Sequence, residues 1–217
     1  MSDGIINLFL TGTWETVIMT FVSGFFSFLI GLPLGALLYI TRKGQIKENI
    51  LFHNLLSGFV NIFRAIPFII LIVWMIPFTR AVAGTSIGVS AAIVPLSAGA
   101  APFVARMIEN SLLEVPSGLV EASRSMGATP FQIVRRVLLP EALPSIINCV
   151  SITLIMLVGY SAMGGAVGAG GLGQIGYQYG YVGYDLKIMN IVLALLVVLV
   201  FLIQYTGNYI SKKTDHK

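Results

Sequence analysis

The chain contains uncharged stretches that are long enough to cross a lipid bilayer. Three runs, 16–41, 81–105 and 188–211, carry no Asp, Glu, Lys or Arg, and a fourth uncharged run, 142–184, is longer still. A helix that spans the hydrocarbon core needs about 20 predominantly apolar residues. The mean hydropathy of +0.90 is also far above the soluble range. We therefore predict an all-α membrane protein.

We predict five transmembrane helices, at residues 15–40, 55–78, 86–105, 142–164 and 187–210. The second span has to include Arg64, because the uncharged stretch between Arg64 and Arg80 is too short to cross a bilayer by itself. Two roles are open for Arg64: its side chain extends to the cytoplasmic interface, or it is a structural partner for backbone carbonyls near Pro67, whose missing N–H leaves an acceptor free.

The basic residues predict the orientation of these spans. Arg80 and Lys187 fall on one side of the membrane, and Arg64 lies nearer the other side. That other side carries Arg42, Lys43, Lys47, Arg106, Arg124, Arg135, Arg136, Lys212, Lys213 and Lys217. The positive-inside rule places the richer side in the cytoplasm, so we expect the N-terminus outside and the C-terminus inside. The net charge of +4 then reflects topology and needs no nucleic acid.

The loop between the third and fourth spans is unusually polar for this chain. Residues 109–144 hold four of the nine acids and three arginines. Ser117 is a predicted N-cap of a short helix, and Gly127 suits the left-handed position that ends one. Thr129 and Gln132, with a proline between them, predict a capping box for a second helix.

Each of these two short helices has an apolar stripe. In the first helix Leu119, Ala122 and Met126 share one face, and Glu121, Arg124 and Ser125 share another. Neither helix is long enough to span a bilayer, so each stripe needs a partner. An amphipathic pair lying on the membrane surface is one alternative. A DNA-binding helix-turn-helix is disfavoured, because both ends run directly into membrane spans.

The sequence EASRSMGATPFQIVRRVLLPEALP, residues 121–144, resembles the EAA loop of ABC importer permeases. That pattern reads Glu-Ala-Ala, three residues, Gly, nine residues, an apolar residue and then Leu-Pro. Ser123 stands where Ala is commoner, and Val137 where Ile is. The matching positions are Glu121, Ala122, Ser123, Gly127, Val137, Leu139 and Pro140.

Two further stretches extend the resemblance from about residue 13 to about residue 204. FRAIPFIILIVWMIP, residues 63–77, resembles the Arg-x-x-Pro stretch of amino-acid importers in the same superfamily. GYSAMGGAVGAGGLGQIGYQYGY, residues 159–181, is similar to the methionine-uptake branch in particular.

The resemblance implies a type I ABC importer permease fold, in which residues 13–204 form a transmembrane domain that pairs as a two-fold symmetric homodimer. Residues 205–217 would complete the last span and form a cytoplasmic basic tail. The implied partners are two ABC ATPase subunits, which bind ATP and Mg²⁺, and a periplasmic or lipid-anchored methionine-binding protein. The implied location is the bacterial inner membrane, and the implied function is import of methionine, in its D and L forms.

Loop 114–140 is implied to carry the coupling helix, which sits in a groove of the ATPase. The residues implied in coupling are Leu119, Glu121, Ala122, Ser123, Arg124, Met126 and Gly127. In span four, Tyr160, Ser161 and Met163 are candidates for the translocation pathway and its gate. For Tyr160 and Met163 the alternative is ordinary helix packing, with Tyr160 in an interfacial aromatic belt.

Several chemistries are not indicated. A G-x-x-x-x-G-K-[ST] motif is missing, so the chain is not expected to be an enzyme or to bind a nucleotide cofactor. Gly168, Gly170 and Gly173 match G-x-G-x-x-G but follow a membrane span, so an outer turn is the better interpretation. The two histidines lack metal-ligand spacing. A stand-alone secondary carrier or channel, the alternative function, should show ionisable groups or broken helices at the midplane.

Overall fold

The computed structural model describes residues 2–214, and these form α-helices and short π-helical turns joined by loops. The four long helices are α1 (Ser2–Thr41), α5 (Val89–Leu113), α9 (Leu143–Gly165) and α11 (Leu186–Thr214). The shorter helices are α2 (Ile50–Ala65), α3 (Phe68–Trp74), α4 (Ile76–Ala83), α6 (Ser117–Ser125), α7 (Pro130–Ile133), α8 (Leu139–Glu141) and α10 (Gly171–Ile175). The all-α prediction is confirmed for this part of the chain. Residues 215–217 of the predicted tail lie outside it.

The second predicted span is not a continuous helix. Four helices are long and apolar enough to cross a membrane, and the number rises to five only if α2 and α3 are counted as one broken span. The axes of these two helices differ by 98°. Pro67 causes the break: it has no N–H, and it forces Ile66 into an extended conformation with ψ 123°. The prediction of an unbroken 55–78 helix is therefore wrong.

Two long helices also extend past their predicted ends. The first begins at Ser2 instead of about residue 15, and α5 continues to Leu113 instead of stopping near residue 105. The sequence prediction stopped at charged residues, but a charge that finds a partner does not end a helix. The bounds of α9 and α11 lie close to those of the predicted spans.

Glycines on α1 let this helix lie directly against α5. A Cβ added to Gly31 would be 2.6 Å from the Cβ of Val104, and one added to Gly35 would meet the side chain of Ile108. Close backbone approach of this kind is what small residues four apart permit in membrane helices. Gly31 and Gly35 therefore serve the packing of α1 against α5.

The glycine-rich stretch after α9 forms a turn followed by a short helix, α10, and the π-helical turn Gly176–Val182. Gly168 and Gly170 have φ values of 88° and 92°, which only glycine adopts at low cost. The Glu15 carboxylate of α1 accepts a hydrogen bond of 2.7 Å from the Gly171 N–H. The predicted turn is present, and the short helix α10 that follows it, packed against α1 and α9, was not predicted.

Candidate coupling surface and pathway residues

Helix α6 begins and ends close to the positions that the sequence predicts. Its N-cap is Pro116, and Ser117 is the first helical residue, so the prediction of Ser117 as N-cap is wrong. Gly127 follows the helix with φ 76°, as predicted, and its N–H donates to the Arg124 carbonyl. The capping box of Thr129 is also confirmed, with the Thr129 N–H donating to Gln132 Oε1 at 2.8 Å.

The apolar stripe of α6 faces away from the protein. Val120 and Ser123 are buried on the inner side, where the Ser123 hydroxyl donates to a backbone carbonyl of the same helix at 2.7 Å. Leu119 is 41% exposed, Met126 is 81% exposed and Ala122 is exposed beside them. Apolar side chains that a helix presents outward in this way are typical of a docking surface.

The charged residues of α6 are free of partners within the described chain. Glu121 and Arg124 are spaced for an i,i+3 pair, but both are exposed, and the ion pairs among residues 2–214 all involve Glu109 instead. Glu121 and Arg124 therefore do not form an ion pair with each other in this part of the structure. Both side chains remain available to an external group.

The segment that carries α6 is attached firmly to the membrane helices. Ile133 and Leu138 are fully buried, as the predicted apolar face requires, and pack in one cluster with Ile108 of α5 and Ile146 of α9. The joint between α8 and α9 contains a proline on each side and no flexible linker. The loop that carries α6 is therefore joined to two long helices by buried contacts. Phe131, next to this buried cluster in sequence, is 71% exposed, and the sequence did not predict this exposed aromatic side chain.

A buried charge cluster lies where α5 leaves the membrane domain. Glu109 is only 1% exposed and pairs with Arg106 at 2.6 Å and with Arg42 at 3.6 Å. The Arg106 guanidinium also donates to Ser57 Oγ at 2.7 Å and to Asn61 Oδ1 at 2.9 Å. The cluster joins α2, α5 and the residue that follows α1.

The sequence analysis missed this cluster, although a signal was present. Arg106 and Glu109 have i,i+3 spacing on one helix, and Ser57 and Asn61 have i,i+4 spacing on another. What the sequence does not reveal is that these two faces meet.

The three predicted pathway residues do not share one environment. The Tyr160 ring stacks on Phe68 of α3, with ring centroids 4.2 Å apart and planes inclined by 5°. Met163 is 51% exposed. Ser161, by contrast, is 2% exposed and donates to the Val158 carbonyl of its own helix at 2.8 Å. In the chain as described, Ser161 therefore faces the helix packing and not a surface.

Arg64 lies in the last turn of α2, one residue before the break. Its side chain is exposed and has no hydrogen bond or ion pair to residues 2–214. The predicted contact with carbonyls near Pro67 is not formed.

Comparisons with known proteins cover almost the whole chain. The family described as "Binding-protein-dependent transport system inner membrane component" matches residues 29–215. The chain is 68% identical over 165 residues to the D-methionine transport system permease protein MetI of Escherichia coli strain K12, which is 76% of each chain. A probable D-methionine transport system permease protein MetI of Vibrio cholerae is 52% identical over 211 residues, 97% of this chain and 94% of that protein.

Solved structures of ABC transporters also match this chain. The inward-facing MetNI methionine ABC transporter in its native crystal form contains a chain that is 67% identical, matches over 100% of both chains and has a TM-score of 0.98. An amino acid ABC transporter crystallised with histidines matches 98% of this chain and 96% of its own with a TM-score of 0.78. At 20% identity that second likeness concerns the fold alone.

Proposed function

The chain belongs to the family of binding-protein-dependent transport system inner membrane components, and we propose that it is the permease subunit of an ATP-driven ABC importer that moves methionine into the cell. The observation that carries this proposal is the match to methionine permeases along the entire chain. We extend the proposal to both D- and L-methionine, delivered by a periplasmic or lipid-anchored binding protein on the outer side.

ATP and Mg²⁺ would bind to a separate ATPase subunit, and α6 would be the coupling helix that docks in a groove of that subunit. The outward-facing Leu119 and Met126 support this assignment, because they offer apolar adhesion. The unpaired Glu121 and Arg124 support it as well, because fixed charges set the register of a docked helix.

Two copies of the chain and two ATPases would form the working unit. Four or five spans are too few to enclose a pathway, so a second copy related by a two-fold axis would complete it. ATP binding would draw the ATPases together, and the buried contacts of Ile133 and Leu138 would carry that motion into α5 and α9. The permease would thereby alternate between inward-facing and outward-facing states.

Uptake into proteoliposomes tests the function directly. The purified chain, its ATPase and the binding protein are reconstituted, and uptake of radiolabelled D- and L-methionine is measured separately. We expect uptake that requires ATP and the binding protein. Uptake that persists without ATP and without the ATPase would identify a stand-alone carrier and contradict the proposal.

The outer gate of the pathway is the second part to test. Tyr160 and Met163 are three residues apart on α9, and we propose that they meet their symmetry mates near the axis. In a Cys149→Ala background, Met163→Cys should cross-link between the two copies, with a yield that changes on addition of ATP. Ser161→Cys, which is buried on the same helix, is the matched control. The gate assignment fails if the 163 pair never cross-links in any nucleotide state.

A further inference from the structure

An open cavity of about 260 Å³ lies at the break between α2 and α3. Its wall includes side chains from α2, α3, α5 and α9: Phe63, Arg64, Phe68, Phe103, Met156 and Tyr160. The cavity exists because α2 stops at Ala65 and α3 leaves at 98° to it, which removes the backbone that a straight helix would place there. Irregular backbone within a membrane domain is tolerated where it lines a cavity, as this break does.

Arg64 is the one lining residue that carries a full charge at neutral pH. It has no hydrogen-bond or ion-pair partner among residues 2–214, so its charge is not neutralised by the described chain. The guanidinium is exposed and is therefore free to bind an anion that enters the cavity. The planar fork of its N–H donors matches a carboxylate with two parallel hydrogen bonds.

The position of Arg64 favours a ligand in the cavity over a lipid headgroup at the cytoplasmic surface. Helix α2 begins at Ile50, and Arg64 lies at its opposite end, next to the last residue. With a rise of about 1.5 Å per residue, Arg64 lies about 21 Å along the helix from its start. An arginine side chain is too short to reach back over that distance.

The remaining walls suit the rest of an amino acid. The half-buried Tyr160 ring, stacked on the buried Phe68 at 4.2 Å, lines the cavity, and an ammonium group can bind to such a ring through a cation–π contact. Met156 offers a thioether, which adapts its shape to an unbranched apolar side chain and makes favourable contacts with sulfur and aromatic groups.

We propose that this cavity is an intramembrane binding site for the transported amino acid, with Arg64 holding its carboxylate. The inference rests on the proposed function, and it adds a second selection step after delivery by the binding protein. The ligand class is a zwitterionic amino acid with an unbranched apolar or thioether side chain.

Protection of a cysteine in the cavity tests the site. In a Cys149→Ala background, Phe103→Cys is alkylated with a small neutral reagent in the complete permease–ATPase complex. We expect methionine to slow the alkylation, and methioninol, which lacks the carboxylate, to have no effect. Tyr177→Cys lies outside the cavity and should react at the same rate with and without methionine.

Variants of Arg64 test whether its guanidinium holds the ligand, with a variant of Arg80 as the control. Loss of a charge-assisted hydrogen bond corresponds to roughly tenfold or more in affinity, so Arg64→Gln should remove protection at methionine concentrations that protect the parent. Arg64→Lys should keep part of it. In proteoliposomes, Arg64→Gln should lower the methionine transported per ATP while ATP hydrolysis still responds to the binding protein. Arg80→Gln, an exposed arginine outside the cavity, should change neither measurement.

Two results would overturn the site and leave the import function intact. In the first, the complex imports methionine, but methionine and methioninol slow the alkylation equally, or neither compound slows it. The other is an Arg64→Gln variant that responds only to the content of anionic lipid in the bilayer, which would make Arg64 a headgroup anchor. A complex that imports no methionine at all would instead contradict the proposed function.

Discussion

Two pairs of opposite charges with the same i,i+3 spacing have opposite fates in this molecule. Arg106 and Glu109 on α5 form an ion pair of 2.6 Å, and Glu109 is almost completely buried. Glu121 and Arg124 on α6 are exposed and do not pair with each other. One pair holds three segments of the membrane domain together, and the other is free for an external partner.

The i,i+3 spacing alone therefore does not determine whether a charged pair is buried or exposed. The Arg106 guanidinium has two further acceptors in Ser57 and Asn61, so burial of the first pair is compensated. The second pair lies on a helix whose inner side is already filled by Val120 and Ser123. Its charges lie on the opposite, exposed side of the helix.

Thiol labelling that determines the side of the membrane on which α6 lies is the most complete test of this comparison. In a Cys149→Ala background, an impermeant thiol reagent should label Asn7→Cys and Gln178→Cys in intact cells. It should not label Gln45→Cys or Ser117→Cys until the membrane is opened. Labelling of Ser117→Cys from outside would place α6 away from any ATPase and end the coupling interpretation.

Removing one charge from each pair should separate their roles in stability. Glu109→Gln removes the buried acid and leaves the half-buried Arg106 without its counter-charge, and breaking a buried pair costs about 3–5 kcal/mol. Glu121→Gln, an exposed acid, should stay within about 0.5 kcal/mol of the parent. Thermal unfolding of the purified complex measures both. Equal stabilities of the two variants would contradict the distinction drawn here.

The left-handed glycine after α6 should matter for docking more than for folding. Gly127→Val forces a β-branched residue into a backbone with φ 76°, at a cost of about 1–3 kcal/mol in local strain. We expect this variant to lose the ATPase or its stimulation while the membrane helices remain folded. Gly118→Val, which also meets open space but has no positive φ, is the control. Pull-down and the ATP hydrolysis rate decide the outcome, and parental values for Gly127→Val would refute the prediction.

The smallest expected effect concerns the free acid of α6. An exposed ion pair contributes about 0.2–1 kcal/mol, so Glu121→Ala should weaken ATPase binding by less than about fivefold and leave the unfolding temperature unchanged. Glu114→Ala removes an exposed acid just outside α6 and should not alter the binding constant. If Glu121→Ala, Glu114→Ala and the parent all bind the ATPase with the same constant, Glu121 has no role in docking.

The boundaries of the helices show where sequence reasoning succeeded. Gly127, Thr129 and Gln132 perform the local functions that their identities predict, because end caps depend on residues within one turn. The ends of α1 and α5 were misplaced for the opposite reason. Glu15 and Glu109 bond to groups on distant segments of the chain, and such partners are invisible to a local pattern.

The class of the molecule, its apolar helices and the polar loop with its capped ends follow from the amino-acid sequence, because hydropathy and capping are properties of short windows. The family pattern in that loop was also readable directly. The tertiary structure was needed to show that Pro67 bends the second span by 98°, that Ser161 faces inward and that Arg64 lines a cavity. These features depend on which helices meet, and the packing of distant segments fixes that choice.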